Sequence, residues 1–403
     1  MTSPLLPVSE ALARLLVDAG PVGAERVPIA EAAGRVLTTS IKALRTQPPF
    51  DASAMDGYAV RAEDVAAVPA RLTVIGAAPA GRRFAGRIGL GQAVRIFTGA
   101  PVPEGADAVV LQEDTKIPAE GEVEVLESAV AGRHIRRAGL DFAEGEDLLE
   151  TRRVLDAAAI SLAAAANHPT LEVFRKPVVA VLATGDELLP PGSEPGPDQI
   201  IASNGYGVAA IARAAGADIL DLGIAPDDRA AIASAVRRAL DTGADILVTL
   251  GGASVGEHDL VRDVLAGEGM ALDFWKIAMR PGKPLMFGRL QGMRVLGLPG
   301  NPVSSLVGAH IFLVPLVARL AARDHSPDLR DAHLGKAMTA NDSRVDYVRA
   351  IVDKGEDGLV ATAFDTQDSS MLKNLAKANG FIIRPPHSPA AAAGTSCRVM
   401  MIR

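Results

Sequence analysis

The chain has 403 residues, with 41 lysines and arginines against 48 aspartates and glutamates, a net charge of −7, and only 3% aromatic residues. This length predicts roughly two to four domains, and an acidic chain with so few aromatic residues is unlike a nucleic-acid-binding protein. The single cysteine, Cys397, excludes an internal disulfide framework and a thiolate zinc site.

The N-terminal part divides into a helical segment and a β-rich segment. The pattern over residues 8–40 predicts an amphipathic helix and turn, and the prolines at 46–50 indicate a linker. From about 71 to 137, short β-type runs alternate with Gly, Pro and acidic turns. An alanine-rich helix is predicted over 154–166. The first residues lack a basic and apolar leader, so we expect a cytoplasmic protein.

Residues 177–323 alternate apolar strand-like runs with amphipathic helices. Repeats of strand, loop and helix at these lengths imply right-handed crossovers and a doubly wound parallel sheet. The remaining residues, 324–403, contain further β-type runs and predict a small C-terminal β domain. The predicted fold class is therefore a multidomain α/β protein.

Four loops between Ala183 and Ser305 hold most of the side chains suited to chemistry. They are AlaThrGlyAspGlu at 183–187, GlyGlyAlaSerValGlyGluHisAsp at 251–259, ArgProGlyLysPro at 280–284 and ProGlyAsnPro at 299–302. Three of them follow or bracket apolar strand-like runs. Because ligands bind at the carboxyl ends of the strands in open α/β sheets, we expect the active site here.

Acidic residues in and near these loops suggest a divalent cation site. Asp186 and Glu187 follow a buried strand and need water or a cation if unpaired, although a solvated turn capped by Asp186 is an alternative. Asp227 and Asp228 precede a helix, where an acid caps the helix and meets its positive dipole end. Asp259 lies in the first helical turn after the glycine loop, and that position favours a functional acid over a dipole-complementing one.

Glycines before this helix suggest a phosphate site. Gly251, Gly252 and Ser254 leave backbone N–H groups little shielded by side chains, an arrangement that receives phosphate oxygens. The loop is not a Walker P-loop, because no GlyLysSer or GlyLysThr closes it. A separate match to G-x-G-x-x-A at 205–210 lacks the tight strand-to-helix turn of a dinucleotide-binding fold, so an NAD-dependent dehydrogenase is the weakest interpretation.

Three cations surround the ArgProGlyLysPro loop. Lys276, Arg280 and Lys283 lie close in sequence in a protein that is acidic overall, and the two prolines stiffen the loop that holds them. The pattern predicts an anion site, with a solvated basic turn as the alternative. In the ProGlyAsnPro loop, Pro299 and Pro302 could simply form a strand-to-helix turn, with Pro302 at the first helical position.

Two further stretches, together with the four loops, carry a family resemblance. ProProPheAspAlaSerAlaMetAspGlyTyrAlaVal at 48–60 and PheThrGlyAlaProValPro at 97–103, followed in order by the loops, resemble the molybdopterin molybdenumtransferases, the family of MoeA and the gephyrin E domain. The resemblance covers nearly the whole chain. It implies a transferase of the last step of molybdenum cofactor biosynthesis, which uses Mg²⁺ to insert molybdate into adenylated molybdopterin and releases AMP.

The resemblance also implies an organisation. The expected domains are a discontinuous helical and mixed domain (1–45 with 142–176), a β-rich domain (46–141), a molybdopterin-binding α/β domain (177–323) and a β-barrel-like C-terminal domain (324–403). It implies a homodimer whose active site lies between the α/β domain of one subunit and the β-rich domain of the other. Contacts with other molybdenum-cofactor biosynthesis proteins are expected, and nucleic acid and membrane partners are not.

Roles follow by motif from the same resemblance. The residues expected to be catalytic are Asp56, Thr98, Asp141, Glu187 and Asp259, the first three reaching the site from the partner subunit. Those expected to serve the metal ion are Glu187, Asp227 or Asp228, and Asp259. Those expected to bind pterin, phosphate and molybdate are Gly251, Gly252, Ser254, Lys276, Arg280, Lys283, Pro299, Pro302, Ser369 and Ser370.

One departure concerns the third loop, where the family commonly has LysProGlyLysPro. Arg280 replaces the first lysine here, and an arginine binds oxyanions through a planar fork whereas a lysine is a point donor. The choice between molybdate and tungstate therefore stays open. Two other functions also stay open at this point: a non-catalytic pterin-binding scaffold of the same family, and a molybdopterin adenylyltransferase, which resembles the α/β domain alone.

Overall fold

The computed structural model describes residues 5–251 and 259–403. These residues form two compact units. One contains Met1–Glu25, Gly34–Val36 and Val173–Arg403, and the other contains Arg26–Ala33 and Leu37–Glu172.

The first unit is built on a six-stranded α/β sheet. Its strands, in spatial order, are Asp218–Ala225, Val178–Thr184, Ile246–Leu250, Met293–Leu298, Met286–Leu290 and Ala271–Trp275. The first four are mutually parallel, as predicted, and the last two are antiparallel additions at one edge. A hairpin joins Met286–Leu290 to Met293–Leu298 through Gln291 and Gly292, both with positive φ, which suits a two-residue turn of the primed type.

Helices cover both faces of this sheet. They are Asn204–Ala215, Arg229–Asp241, Leu260–Gly267, Pro302–Gly308 and Val314–Leu320, the last two joined by a π-helical turn at Ala309–Leu313. The run Pro302–Leu320 has the length and the mean hydropathy, 1.8, of a membrane span, but 72% of it is buried inside the protein. This run is therefore a core helix.

The N-terminal helix Val8–Leu16 also packs in this core. Val8, Ala11 and Leu15 are buried in the same apolar cluster as residues of the α/β sheet. The structure joins the described residues up to Glu25 to the α/β unit. The reason is the three-residue and four-residue spacing of these apolar side chains, which gives the helix one face that only a large core can bury.

The C-terminal part of this unit is a closed five-stranded barrel with a short helix, Leu372–Lys377. Its strands, in order around the barrel, are Val345–Gly355, Gly358–Ala363, Leu329–Leu334, Ser396–Met401 and Gly380–Arg384, and the last pairs with the first. The expected β-barrel-like domain is confirmed. The short strand Met279–Arg280 pairs beside Val345, so the ArgProGlyLysPro loop begins on the barrel.

The second unit is β-rich, as predicted. Its main sheet has six strands, in spatial order Ala108–Leu111, Gly57–Val60, Gln92–Ile96, Ala70–Ala78, Glu122–Val125 and Thr115–Lys116. Two-stranded sheets pair Ile41–Lys42 with Asp147–Leu149 and Ala52–Ser53 with Ile135–Arg136. The predicted alanine-rich helix is Ala157–Ala165, capped by the Asp156 carboxylate, which accepts a hydrogen bond from the N–H of Ala159. Two further short strands, Ala24–Pro28 and Thr170–Phe174, pair with each other.

Candidate functional site

A cavity of about 930 Å³ lies at the carboxyl ends of the parallel strands. Loops that follow Val178–Thr184, Ile246–Leu250 and Met293–Leu298 form its wall, as the strand pattern predicted. The predicted residues that line it are Glu187, Asp227, Gly251, Pro299, Pro302 and Ser370. Residues from separate loops therefore share one concave site.

Two carboxylates, those of Glu187 and Asp227, line the acidic end of this cavity. The Asp186 Oδ1 accepts a hydrogen bond from the Asp227 N–H over 3.0 Å, which ties the loop at 183–187 to the loop that follows the strand Asp218–Ala225. Burial, followed by the negative charges of Asp186 and Glu187, raises the pKa of Asp227 above its ordinary value. Repulsion between neighbouring carboxylates is relieved when a cation binds between them.

Glycines allow these loops to approach one another closely. Gly185 has φ of +149°, and a Cβ on it would lie 2.4 Å from Glu187 Oε2, so the carboxylate folds over space that only a glycine leaves open. Gly251 has φ of +99°, and a Cβ there would lie 2.8 Å from the Thr184 carbonyl oxygen. The position of Glu187 thus depends on the residue two places before it.

The remaining predicted acids of the α/β domain begin helices. Asp228 Oδ1 accepts from the Ala231 N–H at 2.8 Å and caps Arg229–Asp241. Asp259 Oδ1 accepts from the Arg262 N–H at 3.0 Å and caps Leu260–Gly267. Asp259 is only 3% exposed, burial raises its pKa, and among the described residues its Oδ2 has no hydrogen-bond partner. One oxygen of Asp259 therefore caps the helix, and the other is buried without a partner among the described residues.

Among residues 5–251 and 259–403, no group of three or more His, Cys, Asp or Glu side chains is placed to hold a metal ion. Glu187 and Asp227 nevertheless both line the cavity. Mg²⁺ is commonly held by one or two carboxylates together with substrate phosphates and water. The described acids therefore fit a magnesium ion that arrives with a phosphorylated ligand. Gly252 and Ser254, predicted phosphate-binding residues, lie outside the described residues.

Two asparagines that the sequence pattern did not single out organise the opposite wall. Asn204 Nδ2 donates to the Gly300 carbonyl oxygen at 2.6 Å, and Asn301 Nδ2 donates to Ser369 Oγ at 2.9 Å. Both asparagines line the cavity. No local signal in the sequence predicts the contact of Asn204 with a loop 96 residues away.

The predicted cations do not line this cavity. Arg280 Nε donates to Asp346 Oδ1 at 2.8 Å, and its Nη2 pairs with the other oxygen of the same carboxylate. Lys276 Nζ lies 4.2 Å from the centroid of the Trp275 ring, and Lys283 is exposed. The structure thus uses Arg280 in an ion pair with the C-terminal barrel and separates it from the acidic cavity.

A second cavity, of about 500 Å³, lies on the barrel and is lined by four cations. Arg280 and Lys336 are paired with Asp346 and Asp365, and Arg384 donates to main-chain carbonyl oxygens. Arg349 has 0% exposure, and none of its three guanidinium nitrogens has a partner among the described residues. Its burial lowers its pKa, and the charge of Asp368 partly offsets this. An unpaired buried cation is costly, and an anion would satisfy it.

Two segments contribute to both cavities. In the ArgProGlyLysPro loop, Arg280 and Pro281 line the second cavity and Pro284 lines the first. In the segment that contains Ser369, Gln367 lines the second cavity and Ser370 lines the first. The two cavities are therefore neighbours, separated by a few residues of chain.

The β-rich unit presents an acid of its own. The Asp56 Oδ1 accepts hydrogen bonds from the Thr98 N–H at 2.8 Å and from the Thr98 hydroxyl at 2.7 Å. The Thr98 backbone N–H and then its hydroxyl lower the pKa of Asp56. Both side chains are exposed, so the structure joins two predicted residues as one ionised, oriented group. Asp141, the third, is exposed, and its backbone N–H donates to the Gln47 carbonyl oxygen at 3.0 Å.

Comparisons with known proteins cover almost the whole chain. Family models match as the MoeA N-terminal region (domains I and II) over residues 6–167, a probable molybdopterin binding domain over 180–319, and the MoeA C-terminal region (domain IV) over 331–402. Molybdopterin molybdenumtransferase 2 of Mycobacterium tuberculosis is 37% identical over 93% of this chain and 94% of its own length. The molybdopterin molybdenumtransferase of Haemophilus influenzae is 34% identical over 94% of each chain. A crystal structure of a molybdopterin biosynthesis MoeA protein from Pyrococcus horikoshii has a TM-score of 0.81 and 31% identity, covering 99% of this chain and all of that one.

Proposed function

Because the chain belongs to the molybdopterin molybdenumtransferase family, we propose that it transfers molybdenum to molybdopterin in molybdenum cofactor biosynthesis. The substrates in this proposal are molybdate and adenylated molybdopterin, and AMP is the leaving product. The observation that carries the proposal is the pair of adjoining cavities, one acidic and one holding an unpaired cation. A phosphorylated ligand with Mg²⁺ suits the first cavity, and an oxyanion suits the second.

The acidic cavity binds the phosphoanhydride in this proposal. Glu187 and Asp227 hold Mg²⁺, which when bound neutralises the phosphate oxygens and stabilises charge on the leaving group. Gly251 presents its main chain to the ligand. The free oxygen of Asp259 is held in position by its helix cap. A buried carboxylate with a raised pKa is suited to accept a proton from attacking water.

The second cavity holds molybdate. Arg349 supplies a buried cation whose nitrogens are not engaged elsewhere in the described chain, and arginine presents donors in a planar fork that matches an oxyanion. Ser369 and Ser370 lie on the segment shared with the first cavity, between the oxyanion and the phosphorylated ligand. The oxyanion in this proposal is molybdate, which the names of the related enzymes indicate.

We further propose that the protein is a cytoplasmic homodimer. Asp56 is exposed, ionised and oriented by Thr98, and such a group is suited to complete a site on a second copy. Asp141 joins it in the proposal. Other molybdenum-cofactor biosynthesis proteins would deliver the adenylated substrate and accept the product.

Turnover of purified substrates tests the function. The protein is mixed with adenylated molybdopterin, Mg²⁺ and molybdate, and released AMP is measured by chromatography. We expect AMP release that needs both the cation and the oxyanion, and loss of most of that release in Glu187→Gln. Retention of AMP on the substrate with both ions in excess would refute transfer activity and favour a pterin-binding scaffold. Consumption of ATP would instead indicate an adenylyltransferase.

A further inference from the structure

One side chain joins the strand of Arg349 to a segment that reaches the acidic cavity. The Gln367 Oε1 accepts from the Arg349 N–H at 3.0 Å, and its Nε2 donates to the carbonyl oxygens of Arg349 and Phe364, each at 3.0 Å. Both N–H groups of the amide are thus used. Gln367 lines the second cavity, but its amide has no donor left for an oxyanion. Its contribution is therefore to the position of its neighbours.

The amide of Gln367 continues a β-ladder that a strand has left. The strand Gly358–Ala363 pairs with the residues that follow Arg349 and ends opposite Ala350. Beyond that point the Arg349 N–H finds its acceptor in the Gln367 amide instead of in a strand. A side-chain amide has the same kinds of donor and acceptor as a peptide group. Gln367 therefore extends the ladder by one residue and ties its own segment to the barrel.

Gln367 begins a four-residue bridging segment, Gln367–Ser370, whose other end is fixed at the acidic cavity. The Ser369 carbonyl oxygen accepts from the Val303 N–H at 3.0 Å, and the Ser369 Oγ accepts from Asn301 Nδ2 at 2.9 Å. Val303 lies in the first turn of its helix, where N–H groups have no partner within the helix. Ser370 and Asn301 line the acidic cavity. The bridging segment is thus bonded to the barrel at one end and to the wall of the acidic cavity at the other.

The bridging segment is short and braced. Three residues of extended chain span at most about 11 Å, so the Cα atoms of Gln367, at the second cavity, and Ser370, at the first, lie within that distance. The Asp368 Oδ1 accepts from the Ser370 N–H at 2.8 Å, which fixes the turn between them. A displacement of Gln367 therefore moves Ser370 as well. Misplacement of reacting groups by about 1 Å lowers a reaction rate by about a hundredfold.

We propose that Gln367 is a positioning residue that keeps the two cavities in register. Because the bridging segment is clamped to the strand of Arg349, an oxyanion at this arginine and a phosphorylated ligand beside Ser370 and Asn301 hold fixed positions relative to each other. Each ligand meets one end of the same segment, so ordering of that segment by one ligand lowers the cost of binding the other. The role in transfer rests on the proposed function, whereas the linkage between the two cavities does not.

Asn379 provides a matched control on the same strand. Its Oδ1 accepts from the Val352 N–H at 2.7 Å and its Nδ2 donates to the Val352 carbonyl oxygen at 2.8 Å, which is the same clamp three residues further along. Asn379 is half-buried, whereas Gln367 is exposed, and Asn379 lines neither cavity. Removal of either amide therefore costs the barrel its contacts with one residue's N–H and carbonyl oxygen. Only Gln367→Met also frees the bridging segment.

Turnover tests the positioning role. In Gln367→Met we expect kcat for AMP release to fall about ten- to a hundredfold, with KM for molybdate changed less than about threefold, because each substrate still binds but the two are misaligned. Asn379→Leu should lower Tm at least as much as Gln367→Met and keep kcat within about threefold of the native value. Equal loss of kcat in the two variants would show that a weakened barrel explains the effect and would overturn the role.

Calorimetry tests the linkage without turnover. The Kd of AMP in the presence of Mg²⁺ is measured for the full-length native protein and both variants, with and without saturating molybdate, at matched ionic strength. We expect molybdate to tighten AMP binding at least about fivefold in the native protein and in Asn379→Leu, and less than about twofold in Gln367→Met. No tightening in the native protein, or an equal change in all three proteins, would overturn the proposal. If no protein releases AMP but this pattern holds, the proposed function fails and the linkage stands.

Discussion

Replacement of Arg349 by methionine should stabilise the ligand-free protein and weaken its binding of an oxyanion. Arg349 is fully buried, and its guanidinium has no partner among the described residues. Burial of a charge costs several kcal/mol even after relaxation, and apolar replacement of even a paired buried charge, together with its partner, often stabilises a protein by about 1 to 4 kcal/mol. Asp368 offsets part of this cost. We therefore expect the free energy of unfolding to rise by about 1 to 3 kcal/mol.

A bound oxyanion should reverse the order of stability of the native protein and Arg349→Met. A ligand at a hundred times its Kd stabilises the folded state by about 2.7 kcal/mol if it binds that state alone. Molybdate should therefore raise the Tm of the native protein and leave that of Arg349→Met nearly unchanged. Urea and thermal unfolding, each with and without molybdate, give the two measurements, with the barrel followed separately from the rest of the chain because large proteins need not unfold in one step.

Arg384 provides the matched control. It lies on the same barrel, lines the same cavity and is only 6% exposed, but its guanidinium donates to carbonyl oxygens, including that of Thr339 at 3.0 Å. Arg384→Met leaves those acceptors unsatisfied and should destabilise the protein by about 2 to 4 kcal/mol. If Arg349→Met destabilises the barrel as much as this control, or if molybdate stabilises it as it does the native protein, the reasoning about an unpaired cation is wrong.

Three further predictions concern the acids. Because the pKa of Asp227 is raised, ionisation of this carboxyl destabilises the folded state; the destabilisation is absent below the ordinary pKa of 3.8 and complete above the raised pKa. Asp227→Asn should remove this loss of stability at higher pH, although the effect is small because the group is exposed. The same variant should lose stabilisation by Mg²⁺, and melting measured as a function of pH with and without Mg²⁺ checks both outcomes. Asp259→Asn and Asp228→Asn both keep a capping side chain, so the free energy of unfolding of each variant should lie within about 1 kcal/mol of that of the native protein. Only Asp259→Asn should lose AMP release, and equal activity of the two variants would refute a special role for Asp259. The lowered pKa of Asp56 predicts stability that is present above 3.8 and lost as pH falls through the lowered value, and Thr98→Val should move the carboxyl resonance of Asp56 towards the ordinary titration range in NMR.

The acidic cavity could be predicted from the sequence because its geometry follows from topology. Carboxyl ends of parallel strands meet at one edge, so the loops that contain Glu187, Gly251 and Pro299 converge whatever the details of packing. Asp227 follows a strand of the same sheet and joins them for the same reason. The strand-loop-helix pattern thus gave both the fold class and the acidic end of the site.

The second cavity could not be predicted in this way. Arg349 lies on a long barrel strand among apolar residues, and the sequence does not reveal whether such an arginine is paired, exposed or buried alone. Nor does it reveal that Asn204 and Asn301 bridge loops, because their partners Gly300 and Ser369 are brought close only by tertiary packing. Predictions from local pattern fail where a side chain's partner is distant along the chain.

The arginine at position 280 illustrates how such a distant partner changes the interpretation of a motif. On sequence alone, its place in the ArgProGlyLysPro loop favours an anion ligand. In the structure, Nε and Nη2 both bond Asp346, which is 66 residues away on the barrel, and a lysine cannot form this two-nitrogen contact. The same loop reaches from the second cavity at Pro281 to the first at Pro284. Arginine therefore fixes the loop between the cavities, and in the proposed function it is Arg349, whose guanidinium nitrogens have no partner in the described chain, that binds the oxyanion.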